Sequence, residues 1–170
     1  MSNLPLRAKL EQLPAEAFVG EGVSFRPIRT EGDLVHALFD CQLTKEQQDF
    51  VNPASFSIGR AYLHPERNYP CLIVNEDDQP IGFINLDMWL GKGTAFHWSF
   101  YIDKDQQGRG YGRKAAQLAV QLFRNMAPHC MIKLSTEGSN LKAQRLYLSL
   151  GFRKLEEMDG DDLVFGLWKE

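Results

Sequence analysis

Hydrophobic and polar positions change period several times along this chain, most sharply between Phe96 and Met126. Phe96, Trp98, Phe100 and Ile102 alternate with His97, Ser99 and Tyr101, the two-residue period of a strand. Further on, Ala115, Ala119, Leu122, Phe123 and Met126 share one face of a 3.6-residue period, with Lys114, Gln117, Gln121 and Arg124 off it. A strand therefore runs through a glycine-studded turn, Gln107 to Arg113, into a long helix.

The same reading extends to both ends. Residues 1–20 read as a peripheral extension with a short helix around Leu6 to Leu13, and 21–170 as one domain. Val23 to Ile28 reads as a first strand. Thr30 caps a helix carrying Leu34, Ala37 and Leu38 on one face. Thr44-Lys45-Glu46-Gln47 fits the capping box of a second helix, ended by Pro53, and Ala54 to Leu63 a third. Cys71 to Asn75 and Ile81 to Trp89 read as strands joined by Glu76 to Pro80. Gly91-Lys92-Gly93 turns the chain into the central strand. Met131 to Leu134 is a short buried strand. Ser139 or Asn140 caps a helix lined by Ala143, Leu146, Tyr147 and Leu150, with Gly151 at its C-terminal stop. Arg153 to Met158 and Leu163 to Leu167 close as a hairpin. The order β-α-α-β-β-β-α-β-α-β-β predicts an α/β fold, a mixed sheet with helices.

Composition narrows the function classes. The 170 residues suit one domain with a real core. A net charge of −3 argues against general nucleic-acid binding. Cys41, Cys71 and Cys130 are odd in number and scattered, which suggests free thiols in a reducing cytoplasm. No stretch approaches a membrane span of roughly 20 apolar residues. His36, His64, His97 and His129 show no metal-ligand spacing with the cysteines, so no metal is implied.

The turn after the central strand carries the candidate chemistry. Gly108, Gly110 and Gly112 let the backbone approach a ligand, and the helix they open offers unpaired N–H groups and a positive dipole end. Arg109, Arg113 and Lys114 add charge, so the turn suits a phosphate. The spacing G-x-G-x-G misses the dinucleotide fingerprint by one residue, and no Lys-Ser/Thr pair follows as in a P-loop. On glycines alone, a plain strand-to-helix connection stays equally open.

Gln107, Gly110 and Gly112 fit Gln/Arg-x-x-Gly-x-Gly/Ala, which resembles the pyrophosphate-binding motif of the GNAT superfamily of acyl-CoA N-acyltransferases. Asn140, Ala143, Tyr147 and Gly151-Phe152 resemble that family's N-x-x-A-x-x-x-Y-x-x-x-G-F segment, in the right order. The likeness spans Val23 to Trp168. The pieces Ser57 to Tyr62, Ile81 to Phe83, Phe100 to Gly112 and Gly160 to Glu170 look most like bacterial polyamine (diamine or spermidine/spermine) acetyltransferases. The resemblance implies a mostly antiparallel central sheet with two splayed parallel strands, flanked by helices, and acetyl-CoA as co-substrate. It implies backbone groups of Phe100, Tyr101 and Ile102 on the pantetheine arm. Amides of Gln107, Gly108, Arg109, Gly110, Tyr111, Gly112 and Arg113 would take the pyrophosphate. Asn140 would bond the pantetheine, and Tyr147 would protonate the leaving thiolate.

The general base and the acceptor stay open at this point. His97 has a suitable intrinsic pKa, Asp87 is a second candidate, and a water chain is a third. Asp87 and Glu46, near aromatic residues, are expected to bind a cationic acceptor. Asp159, Asp161 and Asp162 read as a solvated turn able to attract a cation. The alternatives are a non-catalytic acyl-CoA-binding module, or an amino-acid, aminoglycoside or protein N-terminal acetyltransferase. Monomer and homodimer are both compatible with the sequence.

Overall fold

In a computed structural model of the protein, which describes residues 5–91 and 93–168, seven strands form one sheet in the order β1-β2-β3-β4-β5-β7-β6. They are β1 (Val23–Pro27), β2 (Asn68–Asn75), β3 (Pro80–Met88), β4 (Ala95–Ile102), β5 (Met131–Thr136), β6 (Arg153–Asp159) and β7 (Asp162–Leu167). The helices are α1 (Leu6–Glu11), α2 (Glu31–Val35), α3 (Ala54–Leu63), α4 (Tyr111–Met126) and α5 (Leu141–Ser149). Every strand pairing is antiparallel except β4 with β5. Lys92, in the expected turn before β4, lies outside the described residues.

The β4 alternation divides the core in two. Phe96, Trp98 and Ile102 face the α4 side, where Phe123 stacks on Phe96 with ring centroids 4.4 Å apart and Trp98 lies 6.2 Å from Phe123. Ala115, Ala116 and Ala119 are fully buried, and their small side chains bring α4 close to the sheet. Tyr101 faces the other way, against Phe83, Ala37 and Ala54. Removing the Phe123 ring would cost about 3–5 kcal/mol.

The structure corrects three expectations. The N-terminal segment is not peripheral: Leu6 and Leu10 are buried in the main core, and Arg7 donates to the carbonyls of Pro65 (2.8 Å) and Asn68 (3.1 Å). The second helix is only a 3-10 turn, Lys45–Phe50. Strand β2 begins at Asn68 despite Pro70, because that proline lies where β1 ends. Its carbonyl still accepts from Ile28 N at 3.1 Å, so the donor it lacks falls at the end of the ladder.

Candidate active site

The β4–β5 ladder stops after two pairs, Ala95 with Met131 and Phe96 with Ile132, whereas β4 stays paired with β3 from Phe96 to Ile102. Beyond Phe96 the two strands part. Ala95 O accepts from Trp89 N at 2.9 Å and Asp103 N donates to Ile81 O at 2.8 Å, so odd-numbered residues turn their backbone toward β3. Even-numbered residues, Trp98, Phe100 and Ile102, then present theirs to the gap. Of the three residues expected on the pantetheine arm, Phe100 and Ile102 turn their backbone to the gap, while the backbone of Tyr101 faces β3. The Ile102 carbonyl is already bonded, to Gln107 Nε2 at 2.9 Å.

A cleft of about 520 Å³ fills the parting. One end is the turn before α4. Gly110 has φ +83° and is the residue before the helix, and Gly108 has φ +78°. Side chains rarely adopt that region. A Cβ built on either glycine meets nothing within 4 Å, so the loop presents bare backbone outward. The first turn of α4 carries no acidic residue, which leaves its positive end unopposed. Arg113 and Lys142 line this end, and Arg113 is braced by donating to Ser149 Oγ at 2.9 Å. These groups fit a long, thin ligand ending in a diphosphate. Gly110→Val is expected to weaken CoA binding at least tenfold, ~1.4 kcal/mol, in a folded protein. Calorimetric titration checks it, and a wild-type affinity would rule out the cradle.

Of the other expected cofactor contacts, Gln107, Tyr111, Gly112 and Asn140 line the cleft, whereas Arg109 is exposed and does not. Asn140 also caps α5, with Oδ1 accepting from Ala143 N at 3.1 Å.

Tyr147 lines the cleft from α5 and is only 8% exposed. Its ring packs on Phe152 (centroids 5.8 Å) and Phe165 (5.7 Å). Among the described residues its hydroxyl has no hydrogen-bond partner, and burial pushes its pKa up to about 12. It is a neutral donor across the physiological range.

His97 lines the opposite end. Its Nδ1 lies 2.9 Å from the Lys133 carbonyl, just past the last β4–β5 pair, so the ring bridges the two strands as they part. A carbonyl only accepts, so Nδ1 carries the proton and Nε2 is left as an acceptor in the neutral ring. Burial lowers the pKa below 6.5, outweighing the Lys133 carbonyl and the charges of Asp87 and Asp159, which raise it; Arg60 lowers it further. The imidazole is neutral at pH 7.

Two expected acceptor residues stand outside the cleft lining. Asp87 is buried beside His97 in register, but its Oδ2 is 3.0 Å from an Arg60 guanidinium nitrogen and its Oδ1 accepts from Met88 N at 2.7 Å. Glu46 is exposed, its carboxylate bound to its own N–H and the Thr44 hydroxyl, which lowers its pKa. The cleft instead brings in Gln47, Ser135, Thr136, Lys142 and Asp162. Ser135 and Thr136 lay past the predicted end of β5. Asp162 begins β7, and its carboxyl is pushed up by burial and by Asp159, Glu137 and Asp161.

Among the described residues, no helix is long and apolar enough to cross a membrane. The chain is 30% identical over 104 residues to the L-amino acid N-acyltransferase MnaT of Escherichia coli, a match covering 59% of each chain. Its fold resembles the GNAT domain of S. lividans PAT (TM-score 0.72, 13% identity, 93% of this chain and 100% of that one). It also resembles spermidine N-acetyltransferase from Vibrio cholerae, solved with CoA and spermine (TM-score 0.65, 17% identity, 86% and 95%). The parted strands, the bare glycine turn and the two motifs in order all fall where the Acetyltransferase (GNAT) family profile matches, over residues 34–152, and the chain belongs to that family.

Proposed function

We propose that this chain moves an acetyl group from acetyl-CoA to a primary amine of a small cationic acceptor, a polyamine, by direct attack with both substrates bound. The observation that carries the transfer chemistry is that a neutral imidazole and a neutral phenol line one cleft. The reacting ammonium first gives one proton to solvent; the neutral amine nitrogen then attacks the thioester carbon, and its remaining proton becomes acidic as the C–N bond forms. His97 Nε2 takes that proton. The C–S bond breaks and the Tyr147 hydroxyl protonates the sulfur. Both residues exchange their protons with solvent afterwards, so the amine ends as an amide and the thioester as a thiol. A backbone N–H of Trp98 or Phe100 in the gap would stabilise the carbonyl oxygen.

The lining supports a cationic acceptor. Its positive side chains, Arg113 and Lys142, belong to the phosphate end, whereas Asp162 lines it with Asp159, Asp161 and Glu137 close by. Their mutual repulsion is relieved by a bound cation. The similarity to MnaT favours a second reading, an amino-acid acceptor.

A panel of amines followed by free-thiol release separates the readings. Spermidine is expected to exceed monoamines in kcat/KM, and salt should erode that preference. Asp162→Asn should raise the spermidine KM roughly tenfold with little change in kcat. Turnover of amino acids but not polyamines would overturn the acceptor while leaving the transferase. No turnover with any amine would make the chain a binding module.

A further inference from the structure

The side chain of Gln107 has no hydrogen-bonding capacity left for a ligand. Its nitrogen donates to the Ile102 carbonyl (2.9 Å) and to Gln47 Oε1 (3.0 Å). Its oxygen accepts from Gln47 Nε2 (2.9 Å) and Lys142 Nζ (3.3 Å). A side-chain amide offers two donors and two acceptor sites, so all four are used inside the protein. The side chain of the residue that opens the glycine motif is a fastener.

What it fastens is one wall of the cleft. Gln47 lies in the 3-10 turn Lys45–Phe50, none of whose residues is buried, and such turns have poor hydrogen-bond geometry of their own. Leu43, Gln47, Phe50, Val51 and Asn52 nonetheless line the cleft. Leu43 and Val51 pack on the smaller core cluster from behind. On the cleft side, the reciprocal Gln47–Gln107 amide pair ties the turn to the loop that begins at Gly108.

We propose that Gln47 is a positioning residue, a clasp through which ordering of the diphosphate loop is passed to the cleft wall formed by residues 43–52. This rests on the acetyl-CoA reading above. A ligand that fixes the backbone after Gln107 restrains the Gln107 amide, and the turn carrying Gln47 is restrained with it. By reciprocity, an acceptor seated on that wall tightens CoA by the same factor.

CoA alone, without any acceptor, tests the clasp. Amide hydrogen exchange of the segment 43–52 is followed by mass spectrometry, with and without saturating CoA, in the wild type and in Gln47→Leu. Calorimetry fixes saturation for each protein. CoA is expected to slow exchange of the segment at least fivefold in the wild type and less than twofold in the variant. A thermal midpoint near wild type for Gln47→Leu shows that the fold is kept. Faster exchange in the variant with an undiminished CoA effect would mean a merely structural role and overturn the clasp. So would CoA binding to the wild type without protecting the segment. If the wild type does not bind CoA at all, the co-substrate reading falls and the clasp with it, an outcome distinct from binding without protection.

Discussion

Tyr147→Phe is expected to lower kcat about 10²-fold or more while CoA affinity stays close to wild type. The substitution keeps the ring that packs on Phe152 and Phe165 and removes only a hydroxyl with no partner among the described residues. The chain fixes that ring tightly. Gly151, at φ +89°, ends α5 with Gly151 N donating to Leu148 O (3.1 Å) and Phe152 N to Tyr147 O (3.1 Å). This is a Schellman stop, and its usual apolar contact between the third-last helical residue and the second residue beyond the cap is here Tyr147 with Phe152. The burial that raises the phenol also penalises a bare thiolate leaving beside it, so loss of the donor falls on bond breaking rather than on binding. Pre-steady-state kinetics with calorimetry checks this. A kcat within about threefold of wild type, with chemistry rate-limiting, would make Tyr147 a packing residue.

His97→Gln should cost a similar 10²-fold in kcat. Glutamine can still donate to the Lys133 carbonyl where β4 and β5 part, so the variant is expected to fold, but it cannot take a proton. The pH profile is the sharper readout. Because the folded pKa lies below 6.5, chiefly through burial, the active neutral form dominates at pH 7 and is lost as pH falls through that lower value. The wild type should show an acid limb below pH 6.5, and the variant should lack it. A variant that keeps the limb would assign it, and the base, to a titrating group other than His97.

Much of the central site was legible because its signals are local. The switch from a two-residue to a 3.6-residue period across Gly108–Gly112 marks β4, the turn and α4, and capping chemistry marked Thr30 and, of the pair Ser139 and Asn140, the residue that caps α5, which is Asn140. What escaped depends on distant partners. Leu6, Leu10 and Leu13 show an apolar stripe, but nothing local says that it faces the main core rather than solvent. Thr44 to Gln47 forms the capping box that its sequence suits, but no apolar stripe anchors a longer helix there, and Gln47 also pairs with Gln107. Asp87 looked like an acceptor ligand because its partner, Arg60, is 27 positions away on α3. Asp162 read as part of a solvated turn able to attract a cation, and its place on the cleft lining was hidden because the cleft is made by strands that are far off in sequence.

The parting of β4 and β5 bears on aggregation as well as on catalysis. An open strand edge is a template for another chain, and natural sheets shield or charge such edges. Here the open backbone is interior: the gap opens inside a seven-stranded sheet, flanked by the 3-10 turn and α5. A single thin extended molecule can lie along it, whereas a strand of a second protein would have to bring its own sheet into the cleft. The outer edges are guarded by other means. β1 has five residues and ends in Pro27, and β6 carries exposed Arg153, Lys154, Glu156 and Asp159 with an irregular register between Lys154 and Met158. The gap thus lies inside the sheet, while both outer edges carry features that discourage strand pairing.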